Sequence, residues 1–252
     1  MAIAHPLFDS YSIRQVPVSR PFVWLREGWD DLLHHRGASL AYGWLVATLG
    51  ALILAYNRHP LFIMAVIIGF LLVGPVLTAG LCELSRCRDN GEPANFQTSL
   101  HPLRRNPDNL LNFAGTLGLL AVVWFAFSGS LFFGLTGAVA PSLESTVWGD
   151  IMGQVSDTQL IGYLAIGILL AAIVFTLSVV TVPMIVDRHV DARTAMRTSL
   201  RVALRDLPAM LVWAALVTGL VLLGFATALV GMVVIFPLLG HATWRAYREL
   251  VE

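Results

Sequence analysis

The chain has 252 residues, of which 57% are hydrophobic and only 13% are charged. Sixteen arginines balance sixteen acidic residues and there is no lysine, so the net charge is zero. Soluble domains usually carry about 25% charged residues, so this composition excludes an ordinary soluble fold. A neutral chain also gives no reason to expect nucleic acid as a partner. We therefore predict an all-α integral membrane protein.

The N-terminal segment, residues 1–38, is predicted to contain an amphipathic helix. It has no apolar core of signal-peptide length, so we expect the first span to direct insertion. Helical spacing places Arg26, Asp30 and Asp31 away from an apolar face. The apolar face consists of Phe22, Leu25, Trp29, Leu32 and Leu33. A helix of this kind suits the lipid headgroup region.

Long uncharged stretches predict the membrane spans, because a spanning helix needs about 20 apolar residues. The first four are residues 39–57, 61–82, 109–134 and 159–186. The last stretch, 207–244, would measure about 57 Å as one helix, whereas the hydrocarbon core is about 30 Å thick. Two helices joined by a tight turn near Ala226–Gly231 fit the core better. We therefore predict a polytopic six-helix transmembrane bundle forming a single integral membrane domain.

The positions of the arginines predict the orientation of this bundle. With six spans, Arg58 falls alone on one side of the membrane and the other fifteen arginines fall on the opposite side. Positive residues favour the cytoplasmic side, so both termini are predicted to be cytoplasmic, in a bacterial inner membrane. The segments are then the N-terminal segment 1–38, spans 1–3 within 39–134, an external loop at 135–158, spans 4–6 within 159–244 and a tail at 245–252.

Two segments resemble each other and suggest an internal repeat. Thr98-Ser99-Leu100 precedes the third span and Thr198-Ser199-Leu200 precedes the fifth, each with an arginine six residues after the serine. The unit would be a cytoplasmic amphipathic helix followed by a transmembrane hairpin, occurring three times; chance similarity is the alternative. The second helix of each hairpin carries a proline, which removes a helical hydrogen bond. We predict candidate hinges at Pro75, Pro183 and Pro237.

The segment before the fifth span predicts a second, weaker amphipathic helix. Its apolar stripe consists of Ala195, Ser199, Val202 and Ala203. Flanking that stripe at four-residue spacing are Arg193, Arg197, Arg201 and Arg205. Both amphipathic helices are expected to anchor the bundle at the membrane surface, where arginine meets anionic lipid.

The sequence offers little support for catalysis or coupled transport. No ionisable side chain lies deep in a predicted span, which argues against a pump or an ion-coupled carrier. Cys82 and Cys87 are five residues apart, unlike zinc or redox pairs, so neither is assigned a role. No nucleophile, phosphate-binding or metalloprotease motif occurs. We predict no cofactor, no metal site and no catalytic residue, and we favour a non-enzymatic protein.

Charged residues and histidines gather where the spans are predicted to meet the cytoplasm. The candidate cytoplasmic-interface cluster consists of Glu83, Arg86, Asp187, Arg188, His189, His241 and Arg245. If the three hairpins are equivalent, the members other than His189 should converge at one place. Two interpretations stay open: a binding or catalytic site, and a structural clamp made of charge pairs.

Several motifs together resemble one protein family over nearly the whole chain, from about Arg14 to Leu250. They are Gly28-Trp29-Asp30-Asp31, Leu40-Ala41-Tyr42-Gly43, Gly74-Pro75, Gly80-Leu81-Cys82-Glu83-Leu84-Ser85-Arg86, Pro183-Met184, Asp187-Arg188 and Gly240-His241-Ala242-Thr243-Trp244-Arg245-Ala246-Tyr247-Arg248. The chain resembles the bacterial predicted integral membrane proteins grouped as domain of unknown function 2189. The resemblance implies a multi-spanning inner-membrane protein with no established reaction. Cys82 stands where the family leads us to expect an aromatic residue, which further discounts a role for that cysteine.

Members of that family are sometimes labelled cytochrome c oxidase subunit I. A haem–copper core needs several histidines inside its helices, and no predicted span of this chain carries a histidine at its centre. The label therefore does not fit this sequence.

Three functions are compatible with these features. The first is a scaffold, accessory subunit or assembly partner of an inner-membrane complex. The second is a transporter or binder of lipid or of a small apolar substrate, with the prolines as flex points. The third is an interfacial enzyme acting through His189, His241 and nearby carboxylates. The expected partners are the bilayer, with anionic lipid at the cytoplasmic face, and other membrane proteins.

Overall fold

The computed structural model describes residues 11–55, 74, 77–136 and 157–252. Throughout these ranges the chain is α-helical, apart from short connections and an isolated antiparallel bridge between Ile13 and Val251. The prediction of an all-α protein is confirmed.

The described helices are numbered here in chain order. Those of the first half are α1 Arg20–His34, α2 Arg36–Ala55, α3 residues 77–89, α4 Phe96–Ser99, α5 His101–Arg105 and α6 Pro107–Thr136. Those of the second half are α7 Asp157–Ser178, α8 Thr181–Arg188, α9 Ala192–Arg205, α10 Leu207–Ala226 and α11 Met232–Leu250. Local sequence explains several starts. Proline lies in the first turn of α1, α5 and α10. Backbone N–H groups in the first turn have no acceptor within the helix, so the N–H that proline lacks costs no helical hydrogen bond.

Three described stretches are long and apolar enough to cross a membrane: Pro107–Phe127, Leu164–Arg188 and Leu207–Ala226. They correspond to the predicted third, fourth and fifth spans. Helix α2 covers most of the predicted first span. The predicted second span, 61–82, and the predicted external loop, 135–158, lie largely outside the described residues.

The uncharged stretch 207–244 divides into two helices, α10 and α11, joined by the turn Thr227–Gly231. Two residues of this turn have positive φ, Ala228 at 50° and Leu229 at 69°. The buried Leu229 side chain lies against Gly50, close to the end of α2. The predicted turn is therefore confirmed.

Pro183 lies at the third position of α8, just after the break that separates α8 from α7. In a continuous helix its ring would clash with the carbonyl of Val179, four residues earlier, which explains the break. Pro75 lies outside the described residues. The proposed hinge action of the prolines stays a prediction.

Helix α11 packs most extensively against α1 and α2, and glycines on those two helices allow the close approach. A Cβ placed on Gly28 of α1 would lie 2.7 Å from the backbone nitrogen of Ala242. Gly43 of α2 lies against the carbonyl of Val233. Pro237, inside the continuous α11, leaves that same carbonyl without its helical N–H partner. Small residues at such contacts are typical of helix packing in membranes.

Helix α1 buries only part of its predicted apolar face, Leu32 and partly Leu25, together with residues outside that face. Its buried residues are Pro21, Trp24, Gly28, Asp31 and Leu32. Of the predicted apolar face, Phe22, Trp29 and Leu33 are exposed. Asp31 lies away from the predicted apolar face but is buried, because two arginines on other helices pair with its carboxylate in the interior.

The weaker apolar stripe on α9 packs against the interior of the protein. Its four residues, Ala195, Ser199, Val202 and Ala203, are all buried. Ser199 donates a hydrogen bond to the carbonyl of Thr176 at 2.7 Å and so fastens α9 to α7. The four arginines that flank the stripe are exposed.

Candidate functional site

A polar network is buried where α1, α2, α3 and α11 meet. Its members are Asp31 from α1, Ser39 from α2, Ser85, Arg88 and Asp89 from α3, and His241 and Arg245 from α11. We call these seven residues the Asp31 network. Residues three or four apart share one face of a helix, which is how α3 and α11 each present their members together.

Asp31 is the acceptor at the centre of this network, and its side chain is 1% exposed. Arg245 donates two hydrogen bonds to the carboxylate, at 2.8 and 2.6 Å, and Arg88 donates another at 2.5 Å. The Ser85 hydroxyl donates a fourth at 2.7 Å. A buried carboxylate is tolerated when it is paired and hydrogen-bonded in this way.

The environment of Asp31 predicts a dependence of stability on pH. Burial alone would raise the pKa of Asp31, but the hydrogen bonds and charge of Arg245 and the bond from Ser85 outweigh it and hold this pKa below its ordinary value of 3.8. The folded chain therefore binds this proton less readily than the unfolded chain, so ionised Asp31 stabilises the fold above the ordinary pKa. We expect the free energy of unfolding to fall as the pH drops below about 4.

Unfolding of the full-length protein in detergent, followed from neutral to acidic pH, measures this effect. An Asp31→Asn variant should lose less stability on acidification than the wild-type chain. An identical loss in both proteins would contradict the assignment to Asp31.

His241 is fully buried and both of its ring nitrogens are occupied. Nδ1 lies 2.7 Å from the Ser85 hydroxyl and Nε2 lies 2.9 Å from the Ser39 hydroxyl. The single proton of the Ser85 hydroxyl is donated to the ionised Asp31, so the Ser85 oxygen must accept a proton from Nδ1. In a neutral ring Nε2 is then the acceptor for the hydroxyl of Ser39.

We expect His241 to be held as the Nδ1–H tautomer. Nitrogen NMR of full-length protein carrying isotope-labelled histidine distinguishes a protonated from an unprotonated ring nitrogen. The His241 signal is identified by its loss in a His241→Asn variant. A ring protonated mainly at Nε2 would contradict the hydrogen-bond directions that follow from the ionised Asp31.

The remaining member of the network extends it toward the surface. Asp89 accepts hydrogen bonds from Arg245 at 2.7 Å and from the Trp244 indole nitrogen at 2.9 Å. Arg248 lies 3.8 Å from Asp89 and 3.9 Å from Asp187, between two acidic groups on different helices.

A second network lies on another face of α3. The fully buried Glu83 carboxylate accepts two hydrogen bonds from Arg86, at 2.8 and 3.0 Å, and one from Arg105 at 3.4 Å. Arg86 also donates to Glu92 at 3.1 Å. These bonds fasten α5 and the segment after α3 to the body of α3.

A third network joins the end of α8 to the end of α11. The Tyr247 hydroxyl donates to Asp187 at 2.6 Å and accepts from Arg188 at 2.9 Å. Arg188 donates further to the carbonyls of Val251 at 3.2 Å and Glu252 at 3.1 Å. The two helix ends are thereby held together.

The candidate cluster predicted from the sequence is thus divided among three networks. His241 and Arg245 belong to the Asp31 network, Glu83 and Arg86 to the second, and Asp187 and Arg188 to the third. Among the described residues, only Arg248, which was not in the predicted cluster, approaches acidic groups of both the first and the third network.

Sequence reasoning missed five of the seven members of the Asp31 network. Asp31 and Ser85 do lie in the motifs Gly28–Asp31 and Gly80–Arg86, which carried the family resemblance. An aspartate next to Asp30 nevertheless looks like half of a solvated acidic pair. Its arginine partners are more than fifty residues away in sequence, so local pattern could not reveal its burial.

His189, the seventh predicted residue, lies apart from all three networks. It is exposed, has a φ of 53° at the end of α8, and its side chain makes no hydrogen bond or ion pair with the described part of the chain. His241, by contrast, is enclosed. The structure gives these two histidines different surroundings, and nothing in their contacts joins them into one site.

Replacing His189 with glycine is expected to raise the free energy of unfolding by about 0.5–1 kcal/mol, since glycine adopts positive φ without strain. Thermal unfolding in detergent measures the change. The neighbouring Val190→Gly variant is the control and should lose stability, because Val190 packs against the core. A destabilised His189→Gly protein would show that this side chain has a role that its contacts do not reveal.

Two cavities open near these networks. One of about 310 Å³ is lined by Glu27, Asp30, Asp31, Arg88, Asp89 and Arg245. Another of about 460 Å³ lies between His34–Ala38 and Glu92–Phe96. Among the residues that the structure describes, no group of three or more His, Cys, Asp or Glu side chains is arranged to hold a metal ion.

Comparison with known proteins yields one match. A family model described as predicted integral membrane protein (DUF2189) matches residues 62–187, which is half of the chain. No curated protein and no solved structure matches the chain.

Proposed function

This chain belongs to the family of predicted integral membrane proteins named DUF2189, and on that premise we propose that it is a non-enzymatic scaffold. It would serve as an accessory subunit or assembly partner of a complex in a bacterial inner membrane. In this proposal the Asp31 network is a structural clamp that holds α1, α2, α3 and α11 in fixed relation.

One observation carries the proposal: the buried carboxylate and imidazole groups of the described chain are bonded to partners inside it. These groups are Asp31, Glu83, Asp206 and His241. The first two pair with arginines, Asp206 accepts a hydrogen bond from the backbone of Val16 at 2.8 Å, and His241 is bonded at both nitrogens. The arginine pairs of Asp31 and Glu83 and the two bonds of His241 use these groups within the fold, which supports a structural role.

The proposed architecture has six spans with both termini in the cytoplasm. The three apolar stretches of the structure and the turn Thr227–Gly231 support it. So does the arginine distribution, since Arg58 alone would face the outside. Contacts within the structure also bring the chain's two ends together, because the backbone nitrogen of Arg14 donates to the carbonyl of Leu250.

A threefold repeat is the finer part of the same proposal. In both Thr-Ser-Leu segments the serine is buried and bonds to a helix assigned to a span. Ser99 lies 2.7 Å from the hydroxyl of Tyr42 on α2, and Ser199 donates to the carbonyl of Thr176 on α7. The segments differ in shape, because α4 and α5 are separate short helices whereas α9 is continuous.

We assign the partner surface to α7. Only 22% of the most apolar 18-residue window within Leu164–Arg188 is buried, and the same share is buried in Leu207–Ala226 of α10, which is the alternative surface. Large apolar side chains lie exposed around α7, among them Ile161, Leu164, Ile168 and Leu169. The neighbouring α6 exposes Leu119 and Val123 in the same way. A helix this exposed is covered in the membrane by lipid or by another protein.

Photo-crosslinking from two positions tests the scaffold role. A photoreactive residue at Ile168 of α7, which is 70% exposed, is compared with one at Leu222 of α10, which is 62% exposed. We expect a reproducible adduct with one membrane protein from Ile168 and only lipid adducts from Leu222. A protein adduct from Leu222 instead would support the role but place its surface on α10.

Purification of the unmodified chain from its own membrane in mild detergent, followed by mass spectrometry, is the companion measurement. A solitary chain, together with no protein adduct from either position, would contradict the proposal.

A further inference from the structure

The exposed side of α9 combines two rows of residues with different chemistry. One row is Arg193, Arg197, Arg201 and Arg205, at four-residue spacing. Beside it lie Leu200 and Leu204, which are 38% and 60% exposed although the opposite side of the helix is buried in the protein. The outward surface of α9 is therefore itself amphipathic, with an apolar edge and a cationic edge.

The arginines of α9 differ from most others in the described chain in having no acidic partner. Those in ion pairs are Arg20, Arg86, Arg88, Arg105, Arg245 and Arg248. No ion pair to a described residue is formed by any of the four arginines of α9. The nearby Asp191 carboxylate accepts a hydrogen bond from the backbone of Thr194 and caps the helix. Like charges four residues apart on a helix repel one another, so an anion from outside the chain would reduce the repulsion among the four arginines.

The connections of α9 hold it at the membrane surface. The apolar stretch Leu164–Arg188 ends three residues before α9, and the apolar stretch Leu207–Ala226 begins two residues after its last arginine. Helix α9 has 14 residues, so it is about 21 Å long and cannot leave the surface between two such short connections. The exposed leucines resume at Leu207 and Leu211, at the start of the following span.

We propose that the arginine row of α9 binds the phosphates of anionic phospholipids in the surrounding bilayer, while Leu200 and Leu204 enter the apolar region beside them. The chemistry fits both parts. Guanidinium groups form paired hydrogen bonds with phosphate oxygens, and each arginine near an anionic membrane surface adds to the attraction. This lipid contact does not require the scaffold role and can exist without a protein partner.

Helix α1 makes a useful contrast. Its exposed side carries Phe22, Trp29 and Leu33, and its exposed arginine, Arg26, is accompanied by the exposed Asp30. This surface can enter the apolar region without a preference for anionic lipid. The charge selectivity is therefore assigned to α9 and not to α1.

Titration of the full-length protein in detergent with dioleoyl phosphatidylglycerol or dioleoyl phosphatidylcholine, followed by native mass spectrometry, tests the proposal. The anionic lipid should bind more tightly than the zwitterionic one. The variant R197Q/R201Q should weaken binding of phosphatidylglycerol at least about tenfold and leave phosphatidylcholine unchanged. Both arginines are exposed, so its thermal unfolding should match that of the wild-type chain.

The control variant R14Q/R26Q removes the same amount of charge from exposed, unpaired arginines elsewhere. It should keep the affinity for phosphatidylglycerol within about twofold of the wild type. An equal loss of affinity for phosphatidylglycerol in both variants, or an R197Q/R201Q protein that binds phosphatidylglycerol normally, would overturn the proposal. Displacement of the lipid by inorganic phosphate at equal concentration would overturn it too, because the ligand would then be a soluble anion.

Discussion

Replacing Asp31 with asparagine is expected to lower the free energy of unfolding by about 3 kcal/mol. The substitution keeps the size of the side chain and can keep the bond from Ser85, but it removes the charge that pairs with Arg88 and Arg245. Removing one partner of a buried ion pair costs about 3–5 kcal/mol, because the other charge stays buried without compensation. The lower end applies here, since Arg88 is 34% exposed and Arg245 also reaches Asp89.

The neighbouring Asp30→Asn variant is the matched control for this prediction. Asp30 is adjacent in sequence, exposed, and carries the same charge, so its replacement should change stability by less than about 0.5 kcal/mol. Chemical or thermal unfolding in one detergent compares the two variants directly. Equal effects at Asp30 and Asp31 would show that the loss comes from net charge and not from the network.

Replacing Gly28 with alanine is expected to cost about 3 kcal/mol, although alanine favours helix formation over glycine by about 1 kcal/mol. The new Cβ would lie 2.7 Å from the backbone nitrogen and 2.9 Å from the Cα of Ala242. Backbone atoms cannot turn aside as a side chain can, so α1 and α11 would have to separate. That separation would also pull Asp31 away from Arg245, since these two residues lie on the same two helices.

Gly37→Ala is the control, because a Cβ on Gly37 meets no atom within 4 Å. This variant should gain up to about 1 kcal/mol from helix propensity. The same substitution at two glycines only nine residues apart should therefore change the free energy of unfolding in opposite directions. A Gly28→Ala protein as stable as the wild-type chain would mean that α1 and α11 do not approach as closely as described.

Much of the fold could be predicted because the responsible signals are local. Uncharged stretches marked helices α6, α7 and α10, and the excessive length of 207–244 required the turn that the structure has at Thr227–Gly231. Helical spacing likewise identified the apolar stripe of α9, although not that it faces the interior. In each case the sequence signal lies within the helix or turn that it predicts.

The face that α1 buries could not be predicted in the same way. Apolar spacing identifies residues that avoid water, but a membrane protein offers two such environments, the lipid and its own interior. Phe22 and Trp29 are exposed, whereas Trp24 and Gly28 face inward. Close packing at a glycine, and not hydrophobicity, decides which side meets α11.

The arrangement of the candidate site depends on contacts between distant segments. His241 and Arg245 were predicted because they end an apolar run. Asp31, the partner of Arg245, is over two hundred residues away, and the partners of His241, Ser39 and Ser85, are over a hundred and fifty residues away. The convergence expected of six of the seven predicted residues did not allow for the different faces of α3, which separate Glu83 from Ser85 although they are two residues apart.

A double-mutant cycle on Asp31 and Arg245 tests most directly whether the Asp31 network is a structural clamp. The free energies of unfolding are measured for the wild type, Asp31→Asn, Arg245→Gln and the double variant, in one detergent at neutral pH. A clamp predicts a coupling energy of about 2 kcal/mol or more, so that the double variant loses much less than the sum of the single losses. Additive losses, with a coupling energy below about 0.5 kcal/mol, would contradict it.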